Sequence, residues 1–119
     1  MDNIKDDNYY VGKILKDLRF IMSNTQDLTP EDLEKNEILC DSILFRLIQV
    51  SENSLKLSTE FKEKHNQVSW RAMKGMRNRI VHGYDTINFE IVWNTAMDSI
   101  PELMDYCNHI IIYNSKENS

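Results

Sequence analysis

Glycine and proline are scarce in this chain, at three and two of its 119 residues. An all-β fold needs tight turns at short intervals, and such turns draw on these two residues. Their scarcity therefore argues against a sandwich or barrel and favours long helices. Cysteine is equally thin. Cys40 and Cys107 are the only two, both stand inside apolar helical patterns, and both are expected to be buried, reduced thiols. No Cys–His cluster has zinc spacing and no paired-acid motif suits magnesium, so neither a metal nor another cofactor is expected. A Gly-rich phosphate loop and a nucleophile elbow are missing as well. The longest apolar candidate, Ile110-Ile111-Ile112-Tyr113, falls far short of a membrane span. With no signal or transit-peptide pattern either, the expected location is the cytoplasm, away from membranes.

What is present reads as one ordinary globular domain over residues 1–119, with 41% hydrophobic and 28% charged residues, enough for a core without disulfide or metal support. The net charge of -5 makes the surface as a whole repel nucleic acid and anionic lipid, so any RNA contact must come from a local basic patch.

Apolar residues recur at helical spacing in four stretches. Tyr10, Ile14, Leu18 and Ile21 predict a helix over residues 8–24. Thr29-Pro30-Glu31-Asp32 is a helix start, with Thr as N-cap, Pro at the first helical position and acids in the first turn. The apolar positions Leu33, Ile38, Phe45, Leu47, Ile48, Leu55 and Phe61 would carry that helix to residue 64, with a kink or break at Ser51-Glu52-Asn53-Ser54. Ser69 caps a third helix, onto whose Met73 the preceding Val68 could staple, and Gly83 is placed to end it. A fourth is expected from residue 88 or 89 to 113, bent near Ser99 because Pro101 falls inside it. The polar residues 114–119 are expected to fray. The fold class is all-α: an up-and-down four-helix bundle with room for short extra helices.

The chemistry concentrates in Arg77-Asn78-Arg79-Ile80-Val81-His82-Gly83-Tyr84. A permanent cation, an amide, an imidazole and a phenol fall within about two helical turns. Arg can hold a phosphate and His can move a proton, which together suit a phosphodiester. From Ser69 to Tyr84 the chain carries Arg71, Lys74, Arg77 and Arg79 and no acid, the one clear positive island in an acidic protein. On a helical wheel Arg71, Asn78 and His82 lie within about 20° of one line, with Lys74 about 60° away. Trp70, Met73, Met76, Ile80 and Val81 lie opposite, and Arg77 falls among them.

A cation on an apolar stripe needs company, because an unpaired buried charge costs about 3–5 kcal/mol. Either a carboxylate of another helix, such as Asp41 or Glu52, pairs with it, or the stripe is an interface and Arg77 lines a cleft against a second subunit. His82 has two readings also. It can simply offset the negative end of the helix dipole, and the same location favours the imidazolium that proton donation needs. Tyr84 could pack or aim its hydroxyl into the cleft. His65 and His109 stand alone and read as surface or core fillers.

These residues resemble a known signature. Arg77, four intervening positions, His82 and then Tyr84 match the Arg-x4-His-x-Tyr motif of the HEPN superfamily, most closely its HepT-like toxin branch. The flanks agree: Val68-Ser69-Trp70-Arg71, Gly75-Met76-Arg77-Asn78, Phe89-Glu90-Ile91-Val92-Trp93 and the segment from Asp41-Ser42-Ile43 to Gln49-Val50-Ser51-Glu52. The resemblance implies an all-α bundle that homodimerises so that two motifs face one cleft. It implies a metal-independent endoribonuclease, the toxin of a toxin–antitoxin pair. It also implies an MNT-type nucleotidyltransferase antitoxin as partner, with room for a larger hetero-oligomer, and adenylylation of Tyr84 as the modification.

On that reading Arg77 and His82 are the catalytic residues, cleaving RNA by attack of its 2′-hydroxyl. Asn78, Tyr84, Arg71, Lys74 and Arg79 support the site or contact RNA. The alternative from another class is a non-catalytic nucleotide- or RNA-binding subunit that serves a nucleotidyltransferase. A purely structural helical adaptor would leave the basic island and the misplaced Arg77 without a purpose.

Overall fold

The computed structural model describes residues 6–83, 93, 94, 98 and 100–117, with side chains as far as residue 110. Every regular element among them is helical: α1 (Asp7–Thr25), α2 (Pro30–Lys35), α3 (Glu37–Leu55), α4 (Thr59–Lys64), α5 (Trp70–Gly83) and α6 (Ile100–Glu117). The four long helices form the bundle and the two short ones lie within its connections.

The apolar stripe of α1 sets the core. Val11, Ile14, Leu15, Leu18 and Ile21 are all buried on one face, the spacing that an amphipathic helix needs to bury one side. They meet Ile43, Leu44, Leu47 and Val50 of α3, while Ile100, Cys107 and Ile110 of α6 join the same cluster. Packing runs from α5 to α3, from α3 to α1, and from α1 to α6. Leu→Ala at a fully buried member such as Leu18 should cost about 2–5 kcal/mol.

One polar interruption sits on this stripe. Asp17, almost fully buried, accepts from Arg46 Nη1 of α3 at 2.7 Å. The Arg46 guanidinium lies 4.1 Å from the centroid of the Phe20 ring, so charge and aromatic face hold it together.

The long second helix expected over residues 30–64 is three helices, and the breaks are not at residues 51–54. Thr29 and Asp32 form a reciprocal capping box that starts α2. Asn36 then ends α2 and caps α3, its Oδ1 accepting the Leu39 N–H at 3.1 Å. The second break falls at residues 56–58, where Ser58 caps α4. Asp7 fixes that cap across the molecule, accepting from Ser58 N at 2.8 Å and from Ser58 Oγ at 2.7 Å. Ser51 and Ser54 do not break α3, because their hydroxyls bond to main-chain carbonyls and their small volume serves close packing. Ser51 Oγ donates to Met73 O of α5 at 2.9 Å, and Ser54 Oγ donates to Ser51 O at 2.7 Å. Three of the apolar positions that support that helix are exposed: Ile38 (83%), Phe45 (57%) and Leu55 (40%).

Ser69 begins α5 as expected, accepting the Ala72 N–H on Oγ at 3.3 Å. Gly83 is itself helical and is the last described residue of α5. Trp93 and Asn94 are helical. Asp98 lies in a wider π-type turn, and the bend expected near Ser99 lies outside the described residues. Pro101 stands near the start of the described part of α6, three residues after the π-type turn at Asp98. α6 continues to Glu117 through polar residues that the sequence pattern had assigned to a tail.

Candidate active site

The motif helix is a basic, acid-free element clamped on one side. Only Ile80 of α5 is fully buried; Trp70, Met73 and Met76 are half-buried, and Val81 is 44% exposed. Arg71, Lys74, Asn78 and His82 are all exposed, so the polar line that the wheel draws is an open face. Ser51 pins the helix from α3 at the Met73 carbonyl, one turn before Arg77.

Arg77 is neither free nor deeply buried. Its Nε–H donates to Glu52 Oε1 at 2.6 Å, and its Nη1 donates to Asn78 Oδ1 at 3.1 Å. Of the two carboxylates that the sequence offered as partners, Glu52 is therefore the one that pairs. The side chains stay 32% and 36% exposed, and an ion pair that wet contributes about 1 kcal/mol or less to stability.

Asn78 lies between the two candidate reactive groups. It touches the Arg77 guanidinium, and on the helix it stands one turn before His82 on the same face. Arg77 and His82 themselves diverge by about 140° around the helix and about 7.5 Å along it. Arg79, also exposed, turns away from the Arg71–Lys74 line to the edge of a cleft of about 360 Å³ between α5 and α6. Val50, Met73, Met76, Ile100 and Leu103 form its apolar wall. Tyr84 lies outside the described residues.

Other titratable groups have structural surroundings. His65 is no isolated filler: its Nδ1 is 2.9 Å from the Tyr106 hydroxyl, which donates to Gln67 Oε1 at 2.7 Å. Phe61 packs against the same imidazole with ring centroids 4.5 Å apart. Burial, and then the Lys64 charge, lower the His65 pKa. His109 is exposed. Cys107 is buried and its thiol is pushed up to about 12 by desolvation. Cys40 is half-buried and raised by burial, then by Asp41 and Glu37. Among the described residues no group of three or more His, Cys, Asp or Glu side chains is placed to hold a metal ion. No described helix is long and apolar enough to cross a membrane.

The sequence reading missed the Asp17–Arg46 pair, although an acid three residues after Ile14 and one before Leu18 interrupts an otherwise apolar stripe. The His65–Tyr106–Gln67 chain left no comparable signal, because its members are up to 41 residues apart.

A family model described as "Ribonuclease HepT-like" matches residues 14–110, which include α5, Glu52 and the whole motif. The chain belongs to the HepT-like ribonuclease family. Relatives of this HepT-like chain include "Putative RNase TTE0752" of Caldanaerobacter subterraneus subsp. tengcongensis, 33% identical over 79% of this chain and 84% of its own length. "Putative RNase MJ0127" of Methanocaldococcus jannaschii is 28% identical over 97% of both chains. "Probable ribonuclease HepT" of Thermococcus cleftensis is 27% identical over 79% of this chain and 86% of its own. No solved structure matches. The family assignment agrees with the HEPN resemblance and with the all-α bundle.

Proposed function

We propose that this HepT-like protein is a metal-independent endoribonuclease toxin whose site is completed by a second copy of the chain. The observation that carries the reading is the placement of Arg77. It reaches from the half-buried side of α5 to Asn78, on the exposed face that ends at His82. The divergence of Arg77 and His82 around one helix favours a composite cleft, in which copies facing each other across a twofold axis supply both groups to one phosphate.

In the proposed reaction the 2′-oxygen of the RNA attacks the adjacent phosphorus and the bond to the 5′-oxygen breaks. The products are a 2′,3′-cyclic phosphate and a 5′-hydroxyl. One His82 accepts the 2′-hydroxyl proton, and the other donates a proton to the leaving 5′-oxygen. Arg77 stabilises the charge on the phosphorane, a contribution of about 3–4 kcal/mol at comparable sites. Asn78 orients the phosphate or the imidazole, and Tyr84 hydrogen-bonds the substrate. Arg71, Lys74 and Arg79 contact the RNA backbone, which makes activity fall as salt rises. DNA lacks the attacking hydroxyl and is inert.

The partner in this reading is an MNT-type nucleotidyltransferase antitoxin. Adenylylation of Tyr84 would put negative charge and bulk in the groove and repel RNA. The test is RNA cleavage in EDTA, with a growth assay, for wild type, Arg77→Ala and His82→Ala. Loss of both activities in both variants is expected. Folded variants as active as wild type would refute the mechanism, and binding without cleavage by wild type would favour a non-catalytic RNA-binding subunit.

A further inference from the structure

The ion pair beside the motif is built in a way that stability does not explain. Glu52 and Arg77 are both about one-third exposed, with side-chain values of 36% and 32%, too wet for the pair to hold the bundle together. Its geometry is nevertheless specific. Glu52 of α3 takes the Nε–H of Arg77 at 2.6 Å, and Asn78 of α5 takes an Nη1–H at 3.1 Å. A planar guanidinium held at two edges from two helices has little freedom left. Arginine has five N–H groups, so the donors that remain all lie on the terminal nitrogens, the fork that matches two phosphate oxygens.

Arg77 needs such a hold because its Cα–Cβ bond starts about 140° from that of His82. Asn78 is exposed and cannot alone fix the guanidinium. Glu52 can, because its own origin is fixed: the residue before it, Ser51, is fully buried and its hydroxyl donates to the Met73 carbonyl of α5. We infer that Glu52 is the positioning residue of the site, holding Arg77 by Nε so that its terminal N–H groups are presented to the scissile phosphate, and that it carries no proton in the reaction. This inference rests on the ribonuclease reading above.

The experiment is steady-state cleavage of an RNA oligonucleotide by the full chain and by Glu52→Ala, Glu52→Gln and His82→Ala. A misplacement of about 1 Å typically costs about 10²-fold, so Glu52→Ala should lower kcat by that order and leave KM within about threefold. Glu52→Gln keeps an Oε1 acceptor for the Nε–H at nearly the same size, and should restore kcat to within about fivefold of wild type. The acid limb of its kcat–pH profile should match that of wild type. Two results would overturn the assignment. If Glu52→Ala and Glu52→Gln behave alike and both lower KM, the carboxylate only damps the Arg77 charge. If the acid limb disappears in Glu52→Gln, Glu52 transfers a proton. Wild-type activity in Glu52→Ala while His82→Ala is inert would defeat this inference alone, whereas full activity in His82→Ala would defeat the ribonuclease mechanism itself.

Discussion

Gly75→Ala should make this protein more stable, which is unusual for a substitution in the middle of a motif helix. Gly75 is exposed in the interior of α5, and an added Cβ would meet nothing within 4 Å. A helix-interior glycine costs about 0.8–1 kcal/mol relative to alanine, because the unfolded chain has more backbone freedom to lose. With no packing term to subtract, the gain should be about 1 kcal/mol. An unfolding entropy of about 2.1 cal/mol/K per residue makes that a rise in Tm of about 4 °C for a domain of this size. Urea melts of wild type and variant over a tenfold range of protein concentration would measure it. A higher midpoint with an unchanged slope is the expected result. A variant less stable than wild type at the lowest concentration would refute the placement of Gly75 on an open face.

Three further predictions concern groups away from the motif. Asp17→Ala removes a carboxylate that is 10% exposed and takes the acceptor from Arg46, itself 29% exposed, and should cost about 1.5–3 kcal/mol. A double-mutant cycle with Arg46→Ala should return a coupling above 1 kcal/mol, and additive losses would contradict the pair. The His65 pKa is lowered in the folded state, so the native protein favours the neutral imidazole. Its contribution is then fully present above the unfolded value of about 6.5 and is lost as pH falls below it towards the folded value. Denaturation midpoints from pH 8 to 5 should decline less in His65→Phe than in wild type, and an equal or steeper decline would refute this. Cys107, with a thiol near 12, should not react with a thiol reagent at pH 8 until the chain unfolds; rapid labelling in the native state would contradict its burial.

The parts of the fold that were legible in the sequence are those governed by local rules. The apolar spacing of α1, the Thr29–Pro30 start of α2 and the Ser69 start of α5 each follow from a few adjacent residues. The division of residues 30–64 was misplaced because Ser51 and Ser54 have the composition of a break. Only the approach of α5 reveals that their hydroxyls spend themselves on carbonyls. Asn36 was the missed signal, since a side chain that can cap a helix gives the backbone a reason to stop.

The candidate site was legible in its residue types and only partly in its arrangement. The wheel flagged Arg77 as out of place and offered two acids to accompany it. Choosing Glu52 over Asp41 requires knowing how α3 is rotated against α5, which no local pattern encodes. The open polar line through Arg71, Lys74, Asn78 and His82 was correctly drawn from periodicity alone.

Adjacent residues on α3 grip α5 at two different kinds of atom. Ser51 takes hold of main chain, at the Met73 carbonyl, and Glu52 takes hold of a side chain, at the Arg77 Nε. Because neighbouring positions on a helix diverge by about 100°, the two grips act like a pair of offset pins. A core substitution that α3 relieved by rolling about its axis would drag both pins together. Damage to the interior around Leu47 would thus reach the guanidinium as a change of aim before it was felt as a loss of fold.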